Sequence, residues 1–408
     1  MAQRQWRSDD TDKWKYGFGD GSDGDLVVSS NTIDTPIDSS CSGTEGATTL
    51  TATNSNFTAG QVILIHQSRG TGAAGNWELN KIASYAGGII TLKHPLCHTY
   101  SDSNNGANQA QVLVLKQYNS VAISLGAAFT AKAWNGQTGG IIALLSKGAV
   151  NVGGIINASG TNGVTATNTT SYTTGGGFFG GLVHRSEVNL STGEGVVGAP
   201  LINQSWNPSF VYGNAGTIGA GSGCGGGNGT PGERASQTSM PFGGASLTAG
   251  NQELTKIVFG GGGGGSGGNK GQSSGSGGSG GGIVMIFSSQ IVVNGEINLS
   301  GGNGGNGFTD NWADKPMGAG GGGAGGSLLL KCETAVLGNQ LISATGGIKG
   351  VNINRAGGGG GAGRIHIDYS KNISGVTNPV AHLRQDKTIT AASQSSIILK
   401  KKLLMATM

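Results

Sequence analysis

The residues of this chain that could do chemistry are few and widely spaced. Hydrolysis of a glycosidic bond needs two carboxyl groups a few ångströms apart. In the glycine-rich repeat region the acidic candidates are Glu296, Asp310, Asp314, Glu333 and Asp368. Glu296 and Glu333 stand at different positions within a sequence repeat of about twenty residues, so stacked copies would not bring them side by side. Asp310 and Asp314 share one polar loop. We therefore expect no catalytic pair, no enzyme activity and no cofactor.

Residues that could bind a metal ion form no strong motif. His94 and His98 are four apart, but Pro95 and strand-like surroundings disfavour the helix that would bring them together. The cysteines lie at least 56 residues apart and predict free thiols. Asp20, Asp23 and Asp25 offer hard oxygen ligands at close spacing, although the loop lacks the Glu of an EF-hand. They are a weak calcium candidate, and the alternative is a turn-rich cap.

The elements that would have to position these groups are dominated by glycine. The chain has 82 glycines in 408 residues, against a usual share of about 7%. Such a content disfavours a helical bundle, because glycine costs roughly 1 kcal/mol per site in a helix interior. Collagen is excluded, since glycine does not recur strictly every third residue and there are only eight prolines. Hydrophobic residues at 36% argue against simple disorder.

Short apolar runs bounded by Gly, Asn, Ser or Asp predict β-strands, for example at residues 62–66, 89–92 and 112–115. Other apolar runs belong to an internal repeat of about twenty residues. Its three copies are Gly140–Gly160, Gly282–Gly301 and Gly326–Gly346. Each unit contains an apolar run, a polar step and a second alternating run. A unit of this length cannot bury its own apolar residues, so we expect the copies to stack.

The remaining glycines lie between the repeats. Residues 171–370 hold 59 of the 82 glycines, in runs such as Gly260–Gly265, Gly320–Gly323 and Gly357–Gly361. Three structures are compatible with these runs: flexible linkers, tight turns at the corners of a solenoid, or packed polyglycine II helices.

Together these patterns predict an all-β protein, a right-handed parallel β-helix or solenoid with glycine-rich, polyglycine II-like segments and inserted loops. The expected organisation is an amino-terminal cap or attachment segment (1–30), a β-rich first part of the solenoid (31–136), a glycine-rich repeat region with loop insertions (137–370) and a carboxyl-terminal tail (371–408).

The motifs GDGSDGDLVV, GGIIALLSKGAVNVGGIINASG, GGGIVMIFSS and GGGGAGRIHIDY resemble those of glycine-rich repeat proteins of tailed bacteriophages, where they form tail fibres or tail tips. Similar repeats also occur in glycine-rich β-solenoid surface proteins of bacteria. The alternation of glycine motifs with variable loops is similar to that of the distal adhesins of T-even-like phages, in which packed polyglycine II helices display receptor-binding loops. The resemblance implies a non-enzymatic virion protein that presents loops to a host receptor.

Aromatic residues in glycine-flanked loops are the receptor-binding candidates, because such side chains suit contacts with sugar rings or proteins. They are Phe178, Phe179, Trp206, Tyr212, Phe308 and Trp312. The alternative is that these rings pack on the scaffold or against another subunit.

The expected partners are other copies of the chain, as a trimer or a filament, other virion tail proteins, and a host surface receptor or glycan. The net charge is +4 and the sequence has no basic stripe, so we expect no nucleic-acid binding. The sequence has no apolar stretch of the kind that forms a signal peptide or crosses a membrane. We therefore expect synthesis in the host cytoplasm and a final location in the virion or outside the cell. Alternatives are a self-assembling filament or shell protein and, less favoured, a polysaccharide depolymerase.

Overall fold

A computed structural model of the chain describes residues 17–103, 106–166, 172–183, 191–201, 213–219, 222–237, 240–242, 246–267, 273–307, 318–352 and 355–389. Within these ranges the protein is all-β. The first strands are β1 (Asp25–Val28), β2 (Thr32–Asp34), β3 (Asp38–Ser42), β4 (Thr49–Ala52), β5 (Val62–Arg69), β6 (Trp77–Ala86), β7 (Ile89–Leu92), β8 (Gln109–Val114), β9 (Lys116–Tyr118), β10 (Ser120–Ile123), β11 (Ala128–Ala131), β12 (Ile141–Val152) and β13 (Ile155–Asn157).

The second half of the chain alternates very short strands with a few long ones. They are β14 (Thr165–Ala166), β15 (Ile218–Gly219), β16 (Ser222–Gly223), β17 (Ala235–Gln237), β18 (Met240–Phe242), β19 (Ser274–Gly275), β20 (Ile283–Val293), β21 (Glu296–Asn298), β22 (Ser327–Ser343), β23 (Arg355–Ala356), β24 (Arg364–Asn378) and β25 (His382–Gln385).

Residues 38–114 form a closed antiparallel barrel in the order β3-β4-β7-β6-β5-β8. The strands predicted at 62–66, 89–92 and 112–115 all lie in it. Ile63, Ile65, Ile90 and Val112 fill its interior and are fully buried. Because side chains alternate along a strand, Val62 and Leu64 of β5 point out of the barrel, where they join a second apolar cluster against the large sheet.

The three repeat units lie side by side in one parallel sheet. β12 pairs with β20, and β20 with β22, so that Ile142, Val284 and Leu328 align across neighbouring strands. β22 also pairs through its last residues with β21, which pairs with β13. Because β22 pairs with β20 at its start and with β21 at its end, it joins the two limbs of the sheet, which is nearly closed. Its inner face holds the main apolar core, and its outer face packs on the barrel.

The glycine runs form an ordered bundle of extended segments that hydrogen-bond to one another. The central segment is Gly260–Gly265, and all six residues are buried. Its amides donate in turn to the carbonyls of three neighbouring segments, at 2.9–3.1 Å. Gly260 donates to Gly281 and, one turn later, Gly263 donates to Gly278. In the same way Gly261 and Gly264 donate to Gly227 and Cys224, and Gly262 and Gly265 donate to Glu194 and Ser191. Its carbonyls accept from three further segments, through the amides of Phe178, Gly181, Gly216, Gly321 and Ala324.

This three-residue period is the hydrogen-bonding pattern of packed polyglycine II helices, which have three residues per turn and no internal hydrogen bonds. The central segment has six neighbours, and no side chain fits between them. A Cβ atom added at Gly262 would lie 1.8 Å from the Phe179 carbonyl oxygen, and one at Gly263 would lie 2.1 Å from that of Gly321. The bundle satisfies its buried backbone groups by itself, without an apolar core.

The protein is all-β, as predicted, but the prediction of a right-handed parallel β-helix or solenoid is wrong. The overturning findings are the antiparallel barrel at 38–114 and the single, nearly closed parallel sheet. The physical reason is that a short apolar run fits parallel and antiparallel pairing equally well, so the pattern could not show that β3–β8 pair with each other. In the repeats, the chain also returns to the sheet through glycine segments rather than through stacked strands.

A buried ion pair joins the barrel to the glycine bundle. Arg69 at the end of β5 lies 2.8 Å from the Glu194 carboxylate, and both side chains are almost completely inaccessible. Glu194 also accepts hydrogen bonds from the Trp134 indole at 2.8 Å and from the Phe179 amide at 3.0 Å. In the described part of the chain, no helix has the length and apolar character needed to cross a membrane.

Candidate functional site

The path of the chain through the bundle places many of its connections at one end. Outgoing segments leave the sheet after β13, β21 and β22, and returning segments enter β20, β22 and β24 through Gly282, Gly326 and Gly363. We call the loop end the end of the bundle farthest from the sheet, where the described segments stop at residues 166 and 172, 183 and 191, 219 and 222, 267 and 273, 307 and 318, and 352 and 355. The residues between the members of each pair lie outside the described ranges.

Hydrogen bonds between the segments fix this common position. Ser266 donates to the Gly275 carbonyl at 3.0 Å, and Gly275 donates to the Gly318 carbonyl at 3.1 Å. Gly305 and Gly320 are joined at 2.8 Å, so the segments before and after residues 307–318 run antiparallel as neighbours. Gly350 donates to Gly320 at 3.0 Å. The bundle is thus a rigid base from which several loops leave side by side.

The outer layer of the bundle uses asparagine where the interior uses glycine. Asn162 accepts from the Asn303 amide at 2.8 Å, and Asn303 accepts from the Ile348 amide at 2.8 Å. One turn farther along the same two segments, Asn306 accepts from the Val351 amide at 2.9 Å. In the outer segment 158–164 only the position that faces inward must be glycine, which explains the spacing of Gly160 and Gly163. The sequence analysis did not identify this ladder, although the repeated Asn-Gly pairs are its visible signal.

The six receptor-binding candidates do not share one environment. Phe178 is completely buried at the sheet end of the bundle, with its ring 5.3 Å from that of Phe259, so it is not available to a ligand. Phe179 is half-buried and stacks on Tyr172 at 5.5 Å. Trp206, Tyr212, Phe308 and Trp312 lie outside the described residues. The segment with Phe308 and Trp312 is attached to the loop end at Gly307 and Gly318.

The calcium candidates are occupied by the chain's own donors. Asp23 accepts from Lys116 at 2.9 Å and from the Gln117 amide at 2.7 Å. Asp25 accepts from the Ser120 hydroxyl at 2.8 Å, and Asp20 closes a turn with the Ser22 amide at 2.9 Å. Within the described ranges, no three His, Cys, Asp or Glu side chains come together as a metal site.

A second polar cluster, which the sequence analysis did not single out, lies where the outer sheet face reaches its last strands. Asp368 is buried and accepts from Arg384 at 2.7 and 2.9 Å, from Lys331 at 2.9 Å and from His366 at 3.0 Å. Burial alone would raise the pKa of Asp368, but the bonds from His366 and Arg384 and the charge of Lys331 outweigh it. They hold the pKa well below its usual range. A carboxylate kept charged by three basic partners acts as a structural anchor.

The two other described acidic candidates, Glu333 and Glu296, do not form a carboxylate pair with Asp368. Glu333 pairs with Lys371 at 2.6 Å, and Glu296 lies on the other limb of the sheet, on β21. Asp310 and Asp314 lie outside the described residues.

The four cysteines are free thiols, three of them buried and Cys97 partly accessible. Burial raises the pKa of Cys41 and, to about 12, that of Cys332, which keeps both thiols protonated. Among the described residues, the feature best suited to function is therefore the loop end with its rigid base. Comparison with known proteins adds no name to it, because no family model matches the chain and no curated protein is significantly similar to it.

Proposed function

We propose that the chain is a non-enzymatic structural protein of a phage virion, a tail-fibre or tail-tip component that presents loops for binding a host receptor. The observation that carries the proposal is the loop end. Six connections of different length and sequence leave one end of a bundle whose own sequence is almost free of side chains. Rigid scaffolds with variable loops are where binding usually resides.

The energetics of the bundle support a presenting role. Binding costs less when the loops are held by a base that does not have to be ordered at the same time. In the bundle this order comes from backbone hydrogen bonds in all directions, so loop sequences can vary without disturbing an apolar core. The expected partners are other virion tail proteins and a host surface receptor or glycan, in a virion or extracellular setting.

Binding of the purified protein to an array of bacterial lipopolysaccharides and capsular polysaccharides tests the proposal. We expect at least one glycan to bind, and Trp312→Ala to weaken that binding at least tenfold without changing the circular dichroism spectrum. Leu125→Ala is the matched control, because Leu125 is 91% exposed in the turn after β10, away from the loop end. It should bind like the unmodified protein.

Two results would count against the proposal: the absence of binding to every glycan, or equal binding by Trp312→Ala and the control. A reducing-end assay on the bound glycan separates the alternatives. Release of sugar fragments would favour a depolymerase instead.

A further inference from the structure

The parallel sheet has two free edges, one formed early and one late in the chain. We call the leading edge β1, β2 and the turn at 19–24, and the trailing edge β25 with residues 372–380. In the described part of the chain, β1, β2 and β25 each pair with a strand on one side only. A free edge presents unpaired backbone N–H and C=O groups and is a template for another strand.

Both edges also expose large apolar side chains. On the leading edge Val27 is 66% and Ile33 is 61% exposed. On the trailing edge Val376 is 52%, Val380 is 87% and Leu383 is 47% exposed. Edges of soluble proteins are usually protected by charge, proline or a covering element, so two apolar edges on one sheet need an explanation.

The register of the sheet makes the two edges matching ends of the same columns. Leu26 begins a core column that passes through Val121, Val150, Ile291 and Ala335 and ends at Ile373. A second column runs from Lys116 of β9 through Leu144, Ile286, Leu330 and Ile367 to Leu383. Moving one copy along the columns by the width of the sheet therefore places its Ile373 next to Leu26 of the following copy.

Charge at the two ends of the outer column is complementary. Its trailing member is Arg384, which is exposed next to Asp368. Its leading member is Gln117, which aligns with Leu145 through β9 and β12. The Asp23 amide donates to the Gln117 carbonyl at 2.9 Å, and Asp20 and Asp25 lie exposed in the same turn and strand. The same translation thus brings a guanidinium towards the exposed carboxylates of Asp20 and Asp25, while Asp23 is already paired with Lys116.

We propose that these edges bind each other in different copies of the chain, so that the parallel sheet continues head to tail from one copy into the next. Such an interface is heterologous: two different surfaces meet, and repetition gives an open filament instead of a closed dimer. The surface lies away from the loop end, so the inference does not depend on receptor binding, and each can fail while the other holds.

The test uses the full chain with one edge blocked at a time. The leading-edge variant is Val27→Lys with Ile33→Lys, which replaces two exposed apolar side chains of that edge by charges. The trailing-edge variant is Leu383→Lys with Val380→Lys, which does the same at the other edge and puts positive charge opposite Lys116. The matched control is Ile348→Lys, because Ile348 is 69% exposed on the glycine bundle. Sedimentation gives the mass of each protein, and circular dichroism checks that each is folded.

The unmodified protein and the control should grow in mean mass with concentration, and added salt should reduce this growth. Each blocked variant alone should be monomeric. An equal mixture of the two should form dimers and nothing larger, because each variant keeps one intact edge of the opposite kind. Unmodified protein that stays monomeric across the range would overturn the proposal. So would a mixture that stays monomeric, or a singly blocked variant that still polymerises.

Discussion

The parallel sheet and the glycine bundle bury their backbones in opposite ways. The sheet pairs its backbone in two directions and fills the third with side chains such as Leu330 and Phe287, which are almost inaccessible. The bundle removes the side chains and hydrogen-bonds in all directions around the segment axis, as Gly260–Gly265 does with six neighbours. The difference shows that a protein interior needs satisfied polar groups and close packing, and that an apolar core is one of two ways to provide them.

The two regions should respond differently to a change of one methyl group, and the largest effect is expected in the bundle. Gly263→Ala places a Cβ 2.1 Å from the Gly321 carbonyl oxygen, and both segments are held by further hydrogen bonds. We expect a loss of more than about 4 kcal/mol in the free energy of unfolding, or no folded protein. Urea denaturation followed by circular dichroism measures it.

The control is a glycine of the same bundle that faces a flexible side chain. A Cβ at Gly359 would meet only the Glu233 side chain, at 3.1 Å and beyond. Gly359→Ala should therefore change the free energy of unfolding by less than about 1 kcal/mol, whereas Gly360→Ala, with its Cβ 2.0 Å from the Gly323 carbonyl oxygen, should resemble Gly263→Ala. Equal effects at Gly359 and Gly360 would contradict the packed bundle.

The junction between the regions should be the next most sensitive place. Glu194→Gln removes one charge of the buried pair and leaves Arg69 uncompensated, which typically costs about 3–5 kcal/mol. Arg69→Met combined with Glu194→Gln should recover most of this loss, since the amide oxygen can still accept from Trp134 and Phe179. A double variant less stable than Glu194→Gln alone would show that the loss in Glu194→Gln does not come from an uncompensated Arg69.

Protonation of His66 should weaken the contact between the barrel and the segment that leads into Gly260–Gly265. His66 is fully buried on β5, with its Nε2 atom 2.9 Å from the Ile257 carbonyl oxygen, and burial lowers its pKa from 6.5 to about 4. At this residue the unfolded chain binds more protons between these values, so the contribution of His66 to stability is fully present above pH 6.5 and is lost as the pH falls towards 4. The loss is up to about 3 kcal/mol. Urea denaturation at several pH values measures it.

The matched variant is His66→Gln, which should remove this contribution. Burial raises the pKa of Glu78 and of Asp34 to about 7, and both act in the opposite direction over the same range, so the difference between the two pH profiles isolates the effect of His66. An unchanged slope in His66→Gln would assign the acid sensitivity to another group.

A smaller effect is expected in the heat capacity change when the whole chain unfolds. Unfolding the bundle exposes mainly peptide groups, and exposed polar surface lowers the heat capacity change whereas apolar surface raises it. The heat capacity change per residue should therefore fall below the usual value of about 12–15 cal/mol/K. Differential scanning calorimetry at several pH values gives this quantity. A value inside the usual range would mean that the bundle is not packed in solution.

Several elements could be predicted from the sequence, for reasons that are local. Apolar runs bounded by Gly and Asn identified β5, β7 and β8, and the twenty-residue repeat identified the strands that align as β12, β20 and β22. Strand pairing was not predictable, because Val62–Arg69 carries no mark of whether its partner is parallel or antiparallel. The buried position of Phe178 was not predictable either, since a ring beside a glycine run can face solvent or a core equally well.

The sequence by itself determined that the protein is all-β, that its repeat units are equivalent, and that glycine is concentrated in particular segments. Composition and spacing carry these properties, because they limit what each segment can form alone. Only the tertiary structure decided that the barrel closes on itself, that Arg69 meets Glu194, and that the glycine segments satisfy one another. A glycine has no side chain to specify its neighbour, so its partners follow from where the strands on either side place the chain.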